Sequence, residues 1–391
     1  MALILMDFGW FLALLALGGS FYAVLAALAA GRFMRAGPRQ GEAGGDSSAH
    51  PVTILKPLYL GEPRLKENLE SFFDQDFAAP VQIVFGVHDE SDPAVSVVRA
   101  LQAKYPGRDT RIVANPAVYG ANGKVSNLIN MLPAARHDII VVSDSDIRVP
   151  PNWLTCVTGA LAEPGVGVVT CLYKGEAGAK GVWPVLAAMG TSYDFLPNVL
   201  TGVSLGLAEP CMGSTIALTR EVLNRIGGFA AFADHLADDY EMGRAVRRLG
   251  LRLSIPALAV RHSASEISCR ELFQHELRWT RTIRRINLAG HVGSIITFAV
   301  PLALISVFLL GFRTQALAVL AMALGARLFL KYRMDAIFEG AAGPFWLMPV
   351  RDLMSFVVFL ASLSGETVHW RGARMSVEAS GLISESVEAA Q

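Results

Sequence analysis

Three carboxylate clusters in the chain have the residue types and spacing to do chemistry. Ser143-Asp144-Ser145-Asp146 ends a run of apolar and β-branched residues, 138–143 (DIIVVS). An Asp-x-Asp pair on such a turn can aim hard oxygen ligands at a divalent cation, which in turn neutralises nucleotide phosphates. Solvated turn aspartates are the plainer alternative. Ala237-Asp238-Asp239-Tyr240 precedes a helix-like EMGRAVRRLG. A carboxylate held there serves as a general base or simply complements the helix dipole. His88-Asp89-Glu90-Ser91-Asp92-Pro93 follows VQIVFGV, and Asp92 before a proline is also a good helix cap. His275-Glu276-Leu277-Arg278-Trp279 sets an indole and a guanidinium beside a long apolar segment, where an interfacial anchor is the simple reading. Lys124, in a Gly-Lys turn, is a candidate phosphate contact or an ordinary lysine at a helix start.

Elements of a definite kind must position these groups. Residues 51–60 and 81–87 are short β-branched runs separated by a helix-like segment, 63–73. That spacing is the βαβ signature. Further strands are expected at 110–114 and 138–143, with helices at 93–105 and 124–132. The order predicts an α/β fold with a mostly parallel sheet, in which ligands bind beyond the carboxyl ends of the strands. The clusters after residues 87 and 143 fall there.

Of the 391 residues, 52% are hydrophobic and 17% charged, against about 25% charged in ordinary soluble domains. Such a composition argues for a soluble core plus membrane segments and against a disordered or small secreted chain. Lys+Arg and Asp+Glu are both 34, so no net field attracts nucleic acid. The four cysteines are scattered, with no CxxC pair, and read as reduced thiols.

Residues 8–31 carry no charge and are long enough to span a bilayer. Asp7 before them and Arg32, Arg35 and Arg39 after them argue for a membrane anchor rather than a signal peptide. Three more segments are expected at 292–312, 315–330 and 345–364, the last two broken by Arg327 and by Arg351 and Asp352. Arg278, Arg281, Arg284 and Arg285 precede them, so the positive-inside rule puts residues 32–290 in the cytosol. The expected organisation is an anchor (1–35), a Gly/Ser linker (36–50), a catalytic domain (51–290), membrane segments (291–370) and a tail (371–391). The apolar stretch 195–208 is too short to span and reads as an interfacial or re-entrant piece, or a buried core helix. The arginines of 278–285 could hold the domain at an anionic leaflet.

Taken in order, DESD, DSD, ADDY and HELRW closely resemble the ceramide glucosyltransferases and the related bacterial hopanoid-linked glycosyltransferases. TILKPL (53–58), NGKVSNLINML (122–132), DSDIRVPP (144–151) and GGFAAFADHLADDY (227–240) extend the likeness over roughly residues 50–290. The resemblance implies an inverting GT-A glycosyltransferase of the family-two-like class. It places Asp92 near the uridine diphosphate and Asp144 as the second aspartate of the nucleotide-sugar site. Asp146 completes an Asp-x-Asp with Asp144 for Mg²⁺ or Mn²⁺. Asp239 matches the catalytic base, and Arg278 and Trp279 match the RW of the (Q/R)xxRW signature on the acceptor and diphosphate side. His275 departs from the Gln or Arg of that signature, which argues against a processive polysaccharide synthase. The implied partners are a UDP-sugar donor, the lipid bilayer, and a membrane lipid acceptor, either ceramide or a hopanoid polyol. The Ala- and Arg-rich composition suggests a bacterial chain, and with the apolar segments and their flanking arginines the expected location is a bacterial inner membrane, multi-pass, with the catalytic domain facing the cytoplasm. A lipid nucleotidyl- or phosphoryl-transferase and a non-enzymatic scaffold are the competing classes.

Overall fold

The computed structural model describes residues 2–36 and 50–365, and the backbone of 367–370, 373–377 and 383–385. The expected linker lies almost wholly outside the described residues. Helix α1 (Ala2–Ala36) leads into an alternation of strands and helices. These are β1 (Val52–Pro57), α2 (Leu65–Glu70), β2 (Val81–Val87), α3 (Pro93–Lys104), β3 (Asp109–Ala114), α4 (Gly123–Met131) and β4 (Ile139–Val142). β3, β2, β1 and β4 are parallel neighbours, as the βαβ spacing requires. Ile54 and Val52 of β1 pack with Leu65, Leu69 and Phe72, whereas Leu55 packs on the other face with Val84, Val125 and Leu128. Burial on both faces explains why these strands read as unbroken apolar runs rather than alternating ones.

The second half of the domain comprises β5 (Ile147–Arg148), α5 (Trp153–Leu161), β6 (Val166–Thr170), β7 (Leu172–Ala177), α6 (Val182–Gly190) and a π-helical turn (Thr191–Phe195). It continues through α7 (Leu196–Ser204), β8 (Ile216–Thr219), α8 (Arg220–Arg225), α9 (Asp238–Arg248), β9 (Arg252–Ser254) and β10 (Ala259–Ala264). The main sheet runs β3-β2-β1-β4-β8-β6-β9, with β8 antiparallel to both neighbours. A smaller sheet, β5-β10-β7, stands beside it.

The remaining helices are α10 (Cys269–Ile286), α11 (Leu288–Gly293), α12 (Ala299–Leu309), α13 (Thr314–Ile337) and α14 (Met348–Ser362). Backbone strands β11 (Thr367–Trp370), β12 (Ala373–Val377) and β13 (Ile383–Glu385) form a small antiparallel sheet, β11 at the end of the expected membrane region (291–370) and the other two in the expected tail (371–391). Among the described residues, three helical stretches, Leu3–Ala36, Thr314–Ile337 and Phe345–Ser362, are long and apolar enough to cross a membrane. The segment expected at 292–312 is not one straight span: Leu288–Thr297 and Ala299–Leu309 meet at 63°. Pro301 supplies a physical reason. It has no N–H to give the Thr297 carbonyl, and its ring crowds that carbonyl, so the helix breaks at Phe298. α1 lies close against the break, since a β-carbon on Gly19 would stand 2.2 Å from the Ile296 carbonyl oxygen.

The charges that interrupt the apolar runs are neither solvated nor idle. Arg327 of α13 donates to both carboxylate oxygens of Asp352 on α14, to Asp194 (2.6 Å) and to the Tyr193 carbonyl (3.0 Å). Arg351 pairs with Asp194 (3.3 Å) and with Glu276 of α10 (2.6 Å). The π-helical turn is thereby tied to two membrane-type helices and to the helix that leads into them. Arg281 and Arg284 donate to the carbonyls of Leu363, Ser364 and Gly365, so these two arginines close the end of α14.

Replacing Arg327 with Met strips Asp352 of its bidentate partner in a buried place, at a cost of about 3–5 kcal/mol. The expected result is a clearly lowered thermal-unfolding midpoint for the detergent-solubilised chain, with much of the loss recovered in R327M/D352L. An unchanged midpoint for R327M would contradict this account of the tie.

Candidate active site

The carboxyl ends of β1 and β4 bring two chemistry-bearing turns together. Lys56, the buried lysine of β1, donates its Nζ to the Asp144 carbonyl and to Ser143 Oγ (3.4 Å), and lies 3.8 Å over the Phe72 ring. Burial pulls Lys56 down to about 7 against the attraction of Asp144 and Asp146. From the other side comes α4, whose first turn is fixed by Asn122: its side chain accepts from the amides of Lys124 and Val125. Lys124 Nζ then reaches Asp144 Oδ1 (2.7 Å) and Asp238 Oδ2 (3.5 Å). Burial opposes the charge on Lys124, but Asp144, Asp238 and Asp239 outweigh it and raise the amine above the usual lysine range.

The adjacent aspartates of α9 are distinguished by their surroundings. Asp238 is buried and accepts from Asn122 Nδ2 (3.2 Å). Asp239 is half-buried, and its oxygens accept from the amides of Gly213 and Tyr240, each at 2.8 Å. Burial, with Asp238 beside it, pushes Asp239 up to about 6. The groups converge at Gly213, where a β-carbon would stand 2.7 Å from Asp144 Oδ2, 3.1 Å from Lys124 Nζ and 3.5 Å from Asp239 Oδ2. A side chain at 213 would fill the space these groups share.

Asp146 points to a different partner. Its Oδ2 is 3.1 Å from His262 Nε2 on β10, while its Oδ1 is buried without a hydrogen-bond partner among the described residues. Burial works against charging His262, but Asp146 draws it up to about 9, and the imidazolium in turn lowers Asp146. Beside His262 lies an aromatic run. The Trp279 ring is 6.3 Å from His262, 6.4 Å from Phe195 and 4.5 Å edge-on from His275, whose Nδ1 bonds to Glu266. Trp279 also walls a cavity of about 610 Å³, with Phe195, Leu207, Ile283, Phe298 and Phe359 around it. Glu276, Arg327, Arg351, Asp194 and Asp352 form the charged part of that wall. One helix, α10, therefore faces the aspartate site through His275 and Trp279 and the cavity through Glu276 and Ile283.

The structure brings together Lys124, Asp144 and Asp239, with Asp146 on the same turn and His275 and Trp279 across from it. Arg278 lies on α10 directly before Trp279. Asp92 has another occupation: Oδ1 accepts from Ala94 at the start of α3 and Oδ2 from Leu60, a non-glycine residue at φ 61°. It caps a helix and fixes the loop after β1. Sequence reasoning missed Lys56, Gly213, His262 and Glu276. Lys56 had a signal, a lysine inside an otherwise apolar strand, and His262 had one in the alternation of VRHSA. Nothing local marked Gly213.

The chain is 27% identical over 250 residues to ceramide glucosyltransferase 1 of Caenorhabditis elegans, covering 63% of this chain and 52% of that protein. It is 39% identical over 114 residues to the ceramide glucosyltransferase of Komagataella phaffii, 28% of this chain and 22% of that protein. The chain thus spans about half the length of the first of these curated relatives. Among solved structures, a mannosyltransferase of Pyrobaculum calidifontis in complex with GDP-mannose and Mn²⁺ superposes with a TM-score of 0.52 at 21% identity, over 92% of this chain and 99% of that one. The fold is GT-A, a mostly parallel mixed sheet. Residues 11–383 match the family described as glycosyl transferase family 21, and the chain belongs to that family.

Proposed function

We propose that the chain is a membrane-bound inverting glycosyltransferase that moves glucose from UDP-glucose to the primary hydroxyl of ceramide. The observation that carries this reading is the position of Trp279, shared between the His262–Asp146 pair and the apolar cavity among the membrane-type helices. A sugar nucleotide on the aspartate side and a lipid hydroxyl on the cavity side would meet there. The relatives described as ceramide glucosyltransferases support the choice of acceptor. Arg32 and Arg35 at the end of α1 and the arginines of α10 favour a cytosolic catalytic domain.

In this mechanism Asp239 takes the proton from the lipid hydroxyl as its oxygen attacks the anomeric carbon. The new C–O bond forms on the face opposite the departing diphosphate, and UDP leaves with the bonding electrons. Lys124 holds Asp144 in place and adds positive charge on the diphosphate side, joined by Arg278. Trp279 and His275 form the wall against which sugar and acceptor are aligned.

Mg²⁺ or Mn²⁺ fits the donors Asp144 and Asp146. The buried Oδ1 of Asp146, without a hydrogen-bond partner among the described residues, is a hard oxygen of the right kind, and Asp144 Oδ2 lies against Gly213 where the charged groups converge. Among the described residues no group of three or more His, Cys, Asp or Glu side chains forms a closed metal site. That suits a cation whose remaining positions are filled by phosphate and water oxygens. When bound, the cation supplies charge that stabilises the diphosphate leaving group.

Four outcomes test the reading. D239N loses about 10²–10⁴-fold in transfer while retaining UDP-glucose binding by calorimetry; full turnover would remove Asp239 from the base role. Because the base must be ionised, kcat/KM for the acceptor is expected to decline as pH falls through about 6, the value to which burial and Asp238 push Asp239. A flat profile down to pH 5 would contradict it. K124M takes from the buried Asp238 and the partly exposed Asp144 the ammonium they share and is expected to lower the thermal-unfolding midpoint, and chelation of divalent cations is expected to abolish UDP-glucose binding until Mn²⁺ is restored. Binding unaffected by chelation would contradict the assignment of Asp144 and Asp146.

A further inference from the structure

The smaller sheet carries a row of cations that the proposed reaction does not use. Strand pairing sets Arg261 of β10 directly opposite Arg148 of β5 on one side and Lys174 of β7 on the other. Directly opposed residues share a face, and like charges so placed repel one another. One carboxylate, Glu176, answers three arginines: Arg64 at 2.9 Å, Arg148, and Arg261 at 3.7 Å. The exposed Glu339 is the next acid beside Lys174. The four cations therefore outnumber these two carboxylates, and all are at least partly open to solvent. His262, next to Arg261, points to Asp146, so strand alternation puts the cations on the opposite face from the nucleotide-side pair.

The row begins where a membrane-type helix ends. Lys174 Nζ donates to the carbonyls of Phe338 and Glu339, directly after α13. Near the same end, Arg35 and Arg333 flank Gly31 of α1. A few residues on, Phe345 and Trp346 are 67% and 63% exposed, the aromatic signature of a bilayer–water interface. With strands about 4.8 Å apart, Lys174, Arg261 and Arg148 reach roughly 10 Å along the sheet, about one Debye length at physiological salt.

From this placement we infer that Lys174, Arg261, Arg148 and Arg64 form a docking surface for the phosphate headgroups of anionic membrane lipids. The surface holds the glycosyltransferase domain against the bilayer on a face separate from the aspartate site. Glu176 organises the arginines and limits their attraction for the leaflet.

The test titrates the detergent-purified full chain with phosphatidylglycerol and, separately, with neutral phosphatidylcholine, reading bound lipid by native mass spectrometry. Wild type is expected to prefer phosphatidylglycerol. R148Q/R261Q is expected to lose about 25-fold in that affinity, roughly fivefold per cation at a membrane surface, with phosphatidylcholine binding unchanged. E176Q removes only the negative charge and is expected to bind phosphatidylglycerol more tightly, a change of sign that misfolding would not produce. Equal affinities across wild type, R148Q/R261Q and E176Q would overturn the inference. So would a loss of UDP-glucose binding in R148Q/R261Q without a change in phosphatidylglycerol binding, which would assign the row to the nucleotide.

Discussion

Carboxylates crowd the carboxyl edge of the main sheet, and buried cations standing between them make that crowding tolerable. Lys124 separates Asp144 from Asp238, His262 answers Asp146, and Lys56 sits beneath the turn that carries both members of the Asp-x-Asp. Removing one partner of a buried pair costs several kcal/mol because the other charge is stranded. Much of the surrounding architecture follows from this constraint. Asn122 both starts α4, aiming Lys124, and holds Asp238. The short β5–β10 pairing delivers His262 to Asp146. Asp238 and Asp239, identical and adjacent, are given different tasks by their neighbours: one is locked to Asn122 and Lys124, the other held open by two backbone amides.

The second dependence runs between the domain and the membrane-type helices. α10 carries His275 and Trp279 four residues apart on one side, and Glu276, Thr280 and Ile283 along the cavity. Arg351 of α14 holds Glu276, and Arg327 of α13 holds Asp194 within the π-helical turn that also supplies Phe195. A π-type turn is often found at functional sites, and here it sets a carboxylate and an aromatic ring on the cavity wall. The membrane-type helices are thus part of the site's framework as well as an anchor.

The parallel half of the sheet was legible because its strands and helices alternate with clear apolar patterning, and the Asp-x-Asp and Asp238-Asp239 turns were legible because short motifs keep their neighbours in sequence. What escaped depends on contacts between distant segments. Glu276 gains its meaning from Arg351, His262 from Asp146, and Gly213 from three side chains on three other elements. Arg327, Arg351 and Asp352 looked like interruptions of apolar runs, since hydropathy counts a charge without seeing its partner. The break at Phe298 had a local signal in Pro301, a proline inside the long apolar run. Asp92 shows the reverse case, a motif residue whose two oxygens serve the backbone.

The central claim is that one site joins a UDP-sugar to a lipid hydroxyl. Its most direct test is mass spectrometry of the lipids formed when the purified full chain, in nanodiscs holding ceramide and a hopanoid polyol, is given UDP-glucose and Mn²⁺. The account predicts a new hexosylceramide, with inverted anomeric configuration, that is absent when Asp239→Asn protein is used. UDP release with no glycolipid of either kind, from protein shown to bind UDP-glucose, would contradict it.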